Sequence, residues 1–181
     1  MNKLQLEPCF LSWRQVEQAS TILIDKVRQF ILEHKLRTGG CPFDCVVAIL
    51  EGGTWLGIHV SKELNIPLEF IHVSKNNNIY PEHIRDKYID KRVLLVDDIY
   101  DTGETIAWIK NNMLFKELQI ACLYSKEISI NNIISAGYCD PSIYVIFPWE
   151  KESFGFKDLV QTIKFNILKK LVNPNRKRKL I

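Results

Sequence analysis

The sequence contains no long hydrophobic run. In its 181 residues no apolar stretch approaches the roughly 20 residues that a helix needs to cross a bilayer. The first residues, MNKLQLEPCFLSW, also show no continuous apolar segment and no small-residue cleavage site typical of a secretory signal. These absences predict a protein with no membrane contact, and we expect a cytoplasmic location.

Clustered metal ligands and paired cysteines are missing as well. The five cysteines, an odd number, stand at irregular spacing. The closest two, Cys41 and Cys45, have no second pair and no clustered histidines beside them. A zinc site needs four grouped ligands, and a disulfide framework usually shows an even number of cysteines. We therefore expect free, mostly buried thiols in a reducing compartment.

The body of the chain also lacks an excess of basic residues. The chain carries 24 Lys and Arg residues against 21 Asp and Glu residues, for a formal charge of +3. Residues 169–181 hold six of the basic residues and none of the acidic ones, so residues 1–168 carry 18 against 21, or −3. A nucleic-acid-binding domain usually shows its basic excess on one face. We interpret the basic end as a solvated tail, and expect no nucleic-acid partner.

What the sequence does contain is an alternation of extended and helical segments. Short apolar runs rich in β-branched residues predict buried strands at 45–50, 66–73, 92–96, 118–124 and 143–147. Apolar residues at helical spacing predict a helix at 12–34, with a capping box formed by Ser12 and Gln15. Further helices are predicted at 54–64, 104–115 and 156–171. Segment 74–91 is predicted to be a long loop and 125–141 to be irregular. The alternation predicts an α/β fold with a central parallel sheet and flanking helices.

The most informative segment follows the third predicted strand and reads Asp-Asp-Ile-Tyr-Asp-Thr-Gly-Glu-Thr, residues 97–105. Ligands of parallel sheets bind outside the carboxyl ends of the strands, and Asp97 and Asp98 lie at that rim. Gly103 lets the backbone approach a ligand closely, and the N–H groups at the helix start form an anion cradle with the hydroxyls of Thr102 and Thr105. Carboxylates beside such a cradle suit a ligand that carries sugar hydroxyls and phosphate, with or without Mg²⁺.

This segment closely resembles the signature with which type I phosphoribosyltransferases bind 5-phosphoribosyl 1-pyrophosphate (PRPP). The resemblance implies that Asp97 and Asp98 hold the ribose hydroxyls and engage Mg²⁺, directly or through the ligand. It implies that Asp101 is the general base near the imidazole ring of a purine. It also implies that the turn binds the 5′-phosphate through Asp101, Thr102, Gly103, Glu104 and Thr105.

The family resemblance extends to the turn after the first buried strand. Glu51, Gly52 and Gly53 match the family's pyrophosphate loop, in which glycines let backbone N–H groups point at pyrophosphate oxygens. Lys75 stands where relatives carry a basic residue near the pyrophosphate, in a loop that corresponds to a lid. Glu51 departs from the pattern, because relatives often have Arg, Lys or Ser at that position.

Residues 144–150, Tyr-Val-Ile-Phe-Pro-Trp-Glu, resemble the base-covering hood of short microbial and archaeal purine phosphoribosyltransferases of the xanthine–guanine type. By this match Tyr144 stacks on the purine, Val145 offers its backbone to the base edge, and Glu150 belongs to the base site. Lys126 matches a family lysine that contacts the 6-oxo oxygen. A cationic donor prefers a carbonyl to the amino group of adenine, which favours hypoxanthine, guanine or xanthine as the base.

The resemblance covers about residues 10–155. It implies one domain over 1–171, with the hood contributed by about 125–150, and a basic tail over 172–181. The implied activity is Mg²⁺-dependent transfer of the phosphoribosyl group from PRPP to a 6-oxopurine, a reaction of purine salvage, in a homo-oligomeric enzyme. Two alternatives stay open: a phosphoribosyltransferase that acts on another base, and a regulator of this fold that senses PRPP or nucleotides.

Overall fold

The computed structural model describes residues 7–73, 86–128 and 132–150. Lys75, the predicted helix at 156–171 and the basic tail lie outside the described residues. The elements in chain order are β1 (Glu7–Phe10), α1 (Trp13–Thr38), β2 (Cys45–Ile49), α2 (Thr54–Leu64), β3 (Leu68–Ile71), β4 (Arg92–Tyr100), α3 (Glu104–Asn112), β5 (Glu117–Ser125), β6 (Ile133–Tyr138), β7 (Ile143–Ile146) and a 3₁₀ turn (Pro148–Glu150).

The contacts divide the chain into two compact units. The main unit comprises Glu17–Cys139, and the small unit comprises Met1–Val16 together with Asp140–Ile181. The predicted domain bounds, 1–171 with a hood from about 125–150, stay a prediction.

The main unit is built on a five-stranded parallel sheet in the order β3-β2-β4-β5-β6. Every residue of β2 is buried, as expected for a strand covered on both faces. On one face, Val47 and Leu95 of the sheet pack with Ile106 and Ile109 of α3 in a hydrophobic cluster. On the other face, α2 approaches β2 closely because Gly57 has no side chain to collide with Ala48. The prediction of an α/β fold with a central parallel sheet and flanking helices is confirmed.

Several details of the predicted elements differ from the structure. The third buried strand, β4, runs on through Asp97 and Asp98 to Tyr100, because its parallel pairing with β5 continues to the end of both strands. Helix α3 ends at Asn112, and Met113 is already extended. Residues 133–138, predicted to be irregular, form β6, the fifth strand of the main sheet. The short β1 was not predicted.

The small unit carries a separate two-stranded parallel sheet of β1 and β7. Strand β7 was predicted at the right place but as a member of the main sheet, a position that β6 takes. The predicted capping box is present: the Ser12 N–H donates to Gln15 Oε1 at 2.9 Å, and the Gln15 N–H donates to Ser12 Oγ at 3.3 Å. Trp149 stacks on Phe147, with ring centroids 4.8 Å apart, and contacts Trp13. Trp149 therefore belongs to the packing of this unit.

In the part of the chain that the structure describes, no helix is both long and apolar enough to cross a membrane. The five cysteines are free, and Cys45, Cys122 and Cys139 are buried, in line with the expected thiols.

Candidate active site

The acidic pair lies on the carboxyl half of β4, the central strand of the main sheet. Asp97 stands opposite Cys122 of β5, and the backbone N–H of Asp98 donates to Asp97 Oδ1 at 3.0 Å. Because successive residues of a strand point to opposite faces, the two carboxylates leave the strand on different sides. The pair therefore offers carboxylate oxygens over a wide part of the rim.

Burial raises the pKa of Asp97 well above its usual range, and the negative charge of Asp98 raises it further. Two adjacent carboxylates with little access to water repel each other when both are ionised. A divalent cation or a set of hydroxyl donors would relieve that repulsion. The electrostatics of this pair thus favour a ligand that brings positive charge or hydroxyl groups.

The glycine turn after β2 lies directly beside the acidic pair. A Cβ atom on Gly52 would come within 2.7 Å of Asp98 Oδ2, so a larger residue there would displace that carboxylate. Gly53 is confined more strictly, because a Cβ atom there would collide with the backbone carbonyl oxygens of Val96 and Ile49. The predicted pyrophosphate loop and the predicted ribose-binding acids are therefore neighbours in space.

Glu51, at the start of that turn, is exposed and adopts a φ of 71°, in the left-handed region that disfavours residues with a side chain. Strain of this kind persists only where the surrounding structure requires it, and it is found often at ligand-binding turns. The negative charge of Glu51 stands next to the glycines that the family uses for pyrophosphate.

The turn after β4 connects the acidic pair to α3. Gly103 has a φ of +75°, and its carbonyl accepts the N–H of Ala107 at 2.8 Å, which begins the helix. Thr102 Oγ1 accepts the N–H of Glu104 at 3.4 Å. The side chains of Thr102 and Glu104 are exposed, and that of Thr105 is half-buried. The N–H groups of the first helical turn and two threonine hydroxyls thus stand at the rim, as the motif predicts.

Lys126 and Asp101 form an ion pair at this rim, with 2.8 Å between Nζ and Oδ1. The lysine side chain is only 5% exposed, whereas that of the aspartate is 51% exposed. The backbone N–H of Lys126 donates to the carbonyl of Tyr100 at 2.9 Å, which fixes the start of the lysine to the end of β4. Two residues predicted separately, one as a base and one as a contact to the 6-oxo oxygen, are therefore in direct contact.

The residues predicted for the purine in the small unit are on and after β7. Tyr144 is exposed and stands in register with Pro8, while Val145 is buried. The carboxylate of Glu150 accepts the backbone N–H of Phe147 at 2.8 Å, across the 3₁₀ turn. That bond stabilises the turn and occupies one oxygen of the side chain that was assigned to the base.

Two tyrosines to which the sequence assigns no role, Tyr88 and Tyr100, make defined contacts in the structure. Tyr88, in the predicted loop 74–91, is fully buried in the hydrophobic cluster and donates its hydroxyl to Glu69 at 3.0 Å. Tyr100, a spacer position of the signature, places its hydroxyl against Gly103. Burial raises the pKa of Tyr100, and the charge of Glu127 adds to that effect. Neither contact has a sequence signal, because the first joins residues 19 positions apart and the second depends on the conformation of the turn between Tyr100 and Gly103.

The sequence model of the protein family described as the phosphoribosyl transferase domain matches residues 12–156 of this chain. The chain therefore belongs to the type I phosphoribosyltransferase family, and it is a phosphoribosyltransferase enzyme.

Similar solved structures cover nearly the whole of this fold. A purine phosphoribosyltransferase from Pyrococcus horikoshii is 26% identical with a TM-score of 0.61, over 80% of this chain and 94% of that one. A xanthine-guanine-hypoxanthine phosphoribosyltransferase from Helicobacter pylori is 16% identical with a TM-score of 0.55, over 85% and 99%. A hypothetical protein from Neisseria gonorrhoeae with bound ppGpp is 18% identical with a TM-score of 0.54, over 88% and 95%. The last two show likeness of fold alone.

Proposed function

We propose that this enzyme transfers the phosphoribosyl group of PRPP to a 6-oxopurine, namely hypoxanthine, guanine or xanthine, and releases pyrophosphate. The observation that carries this proposal is the ion pair of Lys126 and Asp101, with 2.8 Å between the charged atoms. It presents a cationic donor next to a carboxylate acceptor, at the same rim as Asp97 and Asp98.

The pair is complementary to one edge of a 6-oxopurine. On that edge the carbonyl oxygen accepts a hydrogen bond, and the neighbouring ring nitrogen, when protonated, donates one. Lys126 would donate to the oxygen while Asp101 accepts from the ring N–H. Adenine has an amino group in place of the carbonyl, which would face the buried ammonium of Lys126 with like polarity. Sites built around such a polar contact reject the mismatched analogue by roughly 100-fold or more.

Asp101 is the proposed general base. As the other imidazole nitrogen attacks the anomeric carbon, the bond to pyrophosphate breaks and its electron pair leaves with pyrophosphate. The purine then carries an excess proton, and Asp101, in contact with the ring N–H, would accept it. Before the purine arrives, Lys126 keeps Asp101 paired and in place.

Mg²⁺ fits the acidic pair as a cation brought by the substrate. The described residues contain no group of three or more His, Cys, Asp or Glu side chains arranged to hold a metal. Mg²⁺ commonly binds through one or two carboxylates, waters and substrate phosphates, so Asp97 and Asp98 suffice. When bound, the ion would neutralise the charge of the leaving pyrophosphate. The two carboxylates would also accept hydrogen bonds from the ribose hydroxyls.

The phosphates of PRPP would bind at the two turns that flank the acidic pair. The proximity of Gly52 to Asp98 supports a pyrophosphate at residues 51–53, with Glu51 as a neighbour that disfavours metal-free pyrophosphate. The family resemblance adds Lys75, which lies outside the described residues, as a predicted contact. The 5′-phosphate would lie at the start of α3, on the N–H groups of 103–105 and the hydroxyls of Thr102 and Thr105.

The remaining assignments follow from the family resemblance and stay predictions. Tyr144 would stack on the base, Val145 would offer backbone groups to it, and Glu150 would belong to the base site. We expect a cytoplasmic homo-oligomer that acts in purine salvage on PRPP and a free base, without a nucleic-acid partner.

The test is to incubate the purified protein with PRPP, Mg²⁺ and one base at a time: hypoxanthine, guanine, xanthine, adenine and a pyrimidine. Chromatography then identifies the nucleoside monophosphate. Product with one or more 6-oxopurines, and little with adenine, supports the proposal. Product only with adenine or a pyrimidine would refute it in favour of a phosphoribosyltransferase for another base. Binding of PRPP without product from any base would favour a nucleotide-sensing role, which the fold likeness to a protein holding ppGpp makes worth testing.

A further inference from the structure

Tyr100 is the last residue of β4, and its hydroxyl lies against the turn that begins α3. A Cβ atom built on Gly103 would overlap that hydroxyl oxygen and would lie 2.7 Å from Tyr100 Cζ. The hydroxyl is therefore in contact with the backbone of Gly103 itself. Gly103 holds a φ of +75° and precedes the first N–H groups of the helix.

Tyr100 is held in position at its ring and at its backbone. The ring packs against the hydrophobic cluster of the main unit, and the backbone carbonyl accepts the N–H of Lys126 at 2.9 Å. A ring held in this way needs little ordering when a ligand binds, which preserves the strength of any bond that its hydroxyl makes.

The hydroxyl of Tyr100 forms no hydrogen bond with any group among residues 7–73, 86–128 and 132–150. Tyr88 provides the contrast, because its hydroxyl donates to Glu69 at 3.0 Å. Half-buried hydroxyl groups usually have a hydrogen-bond partner in the protein, in water or in a ligand. A phenol is neutral near pH 7 and can donate one hydrogen bond.

We propose that the Tyr100 hydroxyl is a further ligand of the 5′-phosphate, which donates a hydrogen bond to one of the phosphate oxygens held at the start of α3. This inference rests on the proposed function, because the phosphate site at residues 101–105 is part of it. A hydrogen bond to a charged oxygen is stronger than one between neutral groups, so its loss should weaken binding by roughly ten-fold. Tyr100 would thus add a side-chain donor to a cradle otherwise made of backbone N–H groups and threonines.

Tyr100→Phe is the variant that tests this inference, because it keeps the ring and removes only the oxygen. Tyr138→Phe is the matched control, since Tyr138 belongs to the same unit and is exposed on β6. Calorimetric titration measures the dissociation constants of ribose 5-phosphate and of magnesium pyrophosphate, thermal melting checks the fold, and the turnover of PRPP with hypoxanthine is followed in parallel.

We expect Tyr100→Phe to weaken ribose 5-phosphate binding by roughly ten-fold and to leave pyrophosphate binding unchanged, with Tyr138→Phe like wild type. Wild-type affinity of Tyr100→Phe for ribose 5-phosphate would overturn the inference while leaving the enzyme's activity, and so the proposed function, intact. Equal weakening for both ligands, or a lowered melting temperature with it, would assign Tyr100 to packing and also overturn the inference. A wild-type protein that turns over no PRPP would instead contradict the proposed function.

Discussion

The main unit contains two partly buried carboxylate clusters, one at Glu69 and one at Asp97 and Asp98, and the charges that surround them are opposite. At the edge strand β3, Glu69 accepts hydrogen bonds from Tyr88 and Lys91 and also pairs with Lys87. At the rim of β4, the charge that acts on Asp97 is that of another carboxylate, Asp98. The first cluster is satisfied by the protein, whereas the second favours a cation or hydroxyl groups from outside.

The pKa values express the same difference. Burial alone would raise the pKa of Glu69, but hydrogen bonds from Lys87, Lys91 and Tyr88 outweigh it and lower the value to about 2. Burial and Asp98 together raise the pKa of Asp97. A carboxylate whose charge is balanced by cations of the fold contributes to stability, whereas one whose charge faces another carboxylate costs stability and suits a ligand that brings positive charge.

The largest effect should come from Asp97→Asn. Removing one charge of the acidic pair deletes a group that we propose holds the ribose and Mg²⁺, so kcat/KM for PRPP should fall by roughly 100-fold or more. The same change relieves repulsion, so the free energy of unfolding in urea should stay equal or rise. Asp90→Asn, at an exposed carboxylate, is the control and should leave both quantities unchanged. Wild-type kcat/KM in the Asp97 variant would contradict the contrast between the clusters.

Glu69→Gln should show the reverse pattern. The neutral side chain leaves Lys87 and Lys91 without their partner, and the free energy of unfolding should fall by about 2 kcal/mol. The affinity for ribose 5-phosphate should stay close to wild type, because this cluster has no predicted ligand contact. Urea unfolding and calorimetric titration measure the two quantities. A stable variant that loses ribose 5-phosphate affinity would show that the edge cluster is part of the site.

Lowering the pH should change the free energy of unfolding in opposite directions through Glu69 and through Asp97. The pKa of Glu69 is lowered in the folded state, from 4.5 to about 2, so its contribution is complete above its unfolded pKa and is lost as the pH falls toward 2. With its partial exposure, that loss amounts to roughly 2 kcal/mol. Asp97 acts oppositely, because the folded state holds its proton more tightly and gains stability as the pH falls.

Urea unfolding of the wild type and of Glu69→Gln, at several pH values between about 6 and 3, measures the free energy of unfolding of each. The wild type should lose its advantage over the variant as the solution becomes acidic. An advantage that stays constant with pH would mean that the ionised Glu69 cluster does not stabilise the fold.

The smallest effect compares the two tyrosines. Tyr88→Phe removes a hydrogen bond to Glu69 and should lower the free energy of unfolding by about 1 kcal/mol. Tyr100→Phe removes no hydrogen bond that the described residues make, and should change it by less than about 0.5 kcal/mol. Thermal melts of both variants decide the matter. Equal losses would mean that the Tyr100 hydroxyl is used by the fold.

Much of the architecture was predictable because its signals are local. Helix α2 has the bounds predicted from its apolar spacing, Thr54–Leu64, and the signature at residues 97–105 identified the family from nine consecutive positions. Strand β6 was missed because its residues, Ile-Ile-Ser-Ala-Gly-Tyr, combine small and polar side chains and become a strand only by pairing with β5. The extension of β4 was missed for a related reason, since aspartates disfavour strands until a neighbouring strand supplies the hydrogen bonds.

The contacts among the predicted site residues could not be predicted from the sequence, and the roles of those residues stay predictions. The ion pair of Lys126 with Asp101 joins positions 25 residues apart, and no pattern in the sequence predicts a bond between them. Tyr88 was expected in a polar loop and lies in the core, because the turn at 86–90 folds it onto the cluster. The signature assigns no role to Tyr100, and only the structure shows that its hydroxyl contacts Gly103.

We propose that Lys126, paired with Asp101, selects a 6-oxopurine. The most direct measurement is the ratio of kcat/KM for hypoxanthine to kcat/KM for adenine, in wild type and in Lys126→Met, at saturating PRPP. The wild-type ratio should be roughly 100 or more, and the variant, which lacks the donor to the carbonyl, should lower it by at least about ten-fold through loss of hypoxanthine activity. A wild-type ratio near one, or an unchanged ratio in the variant, would contradict the claim.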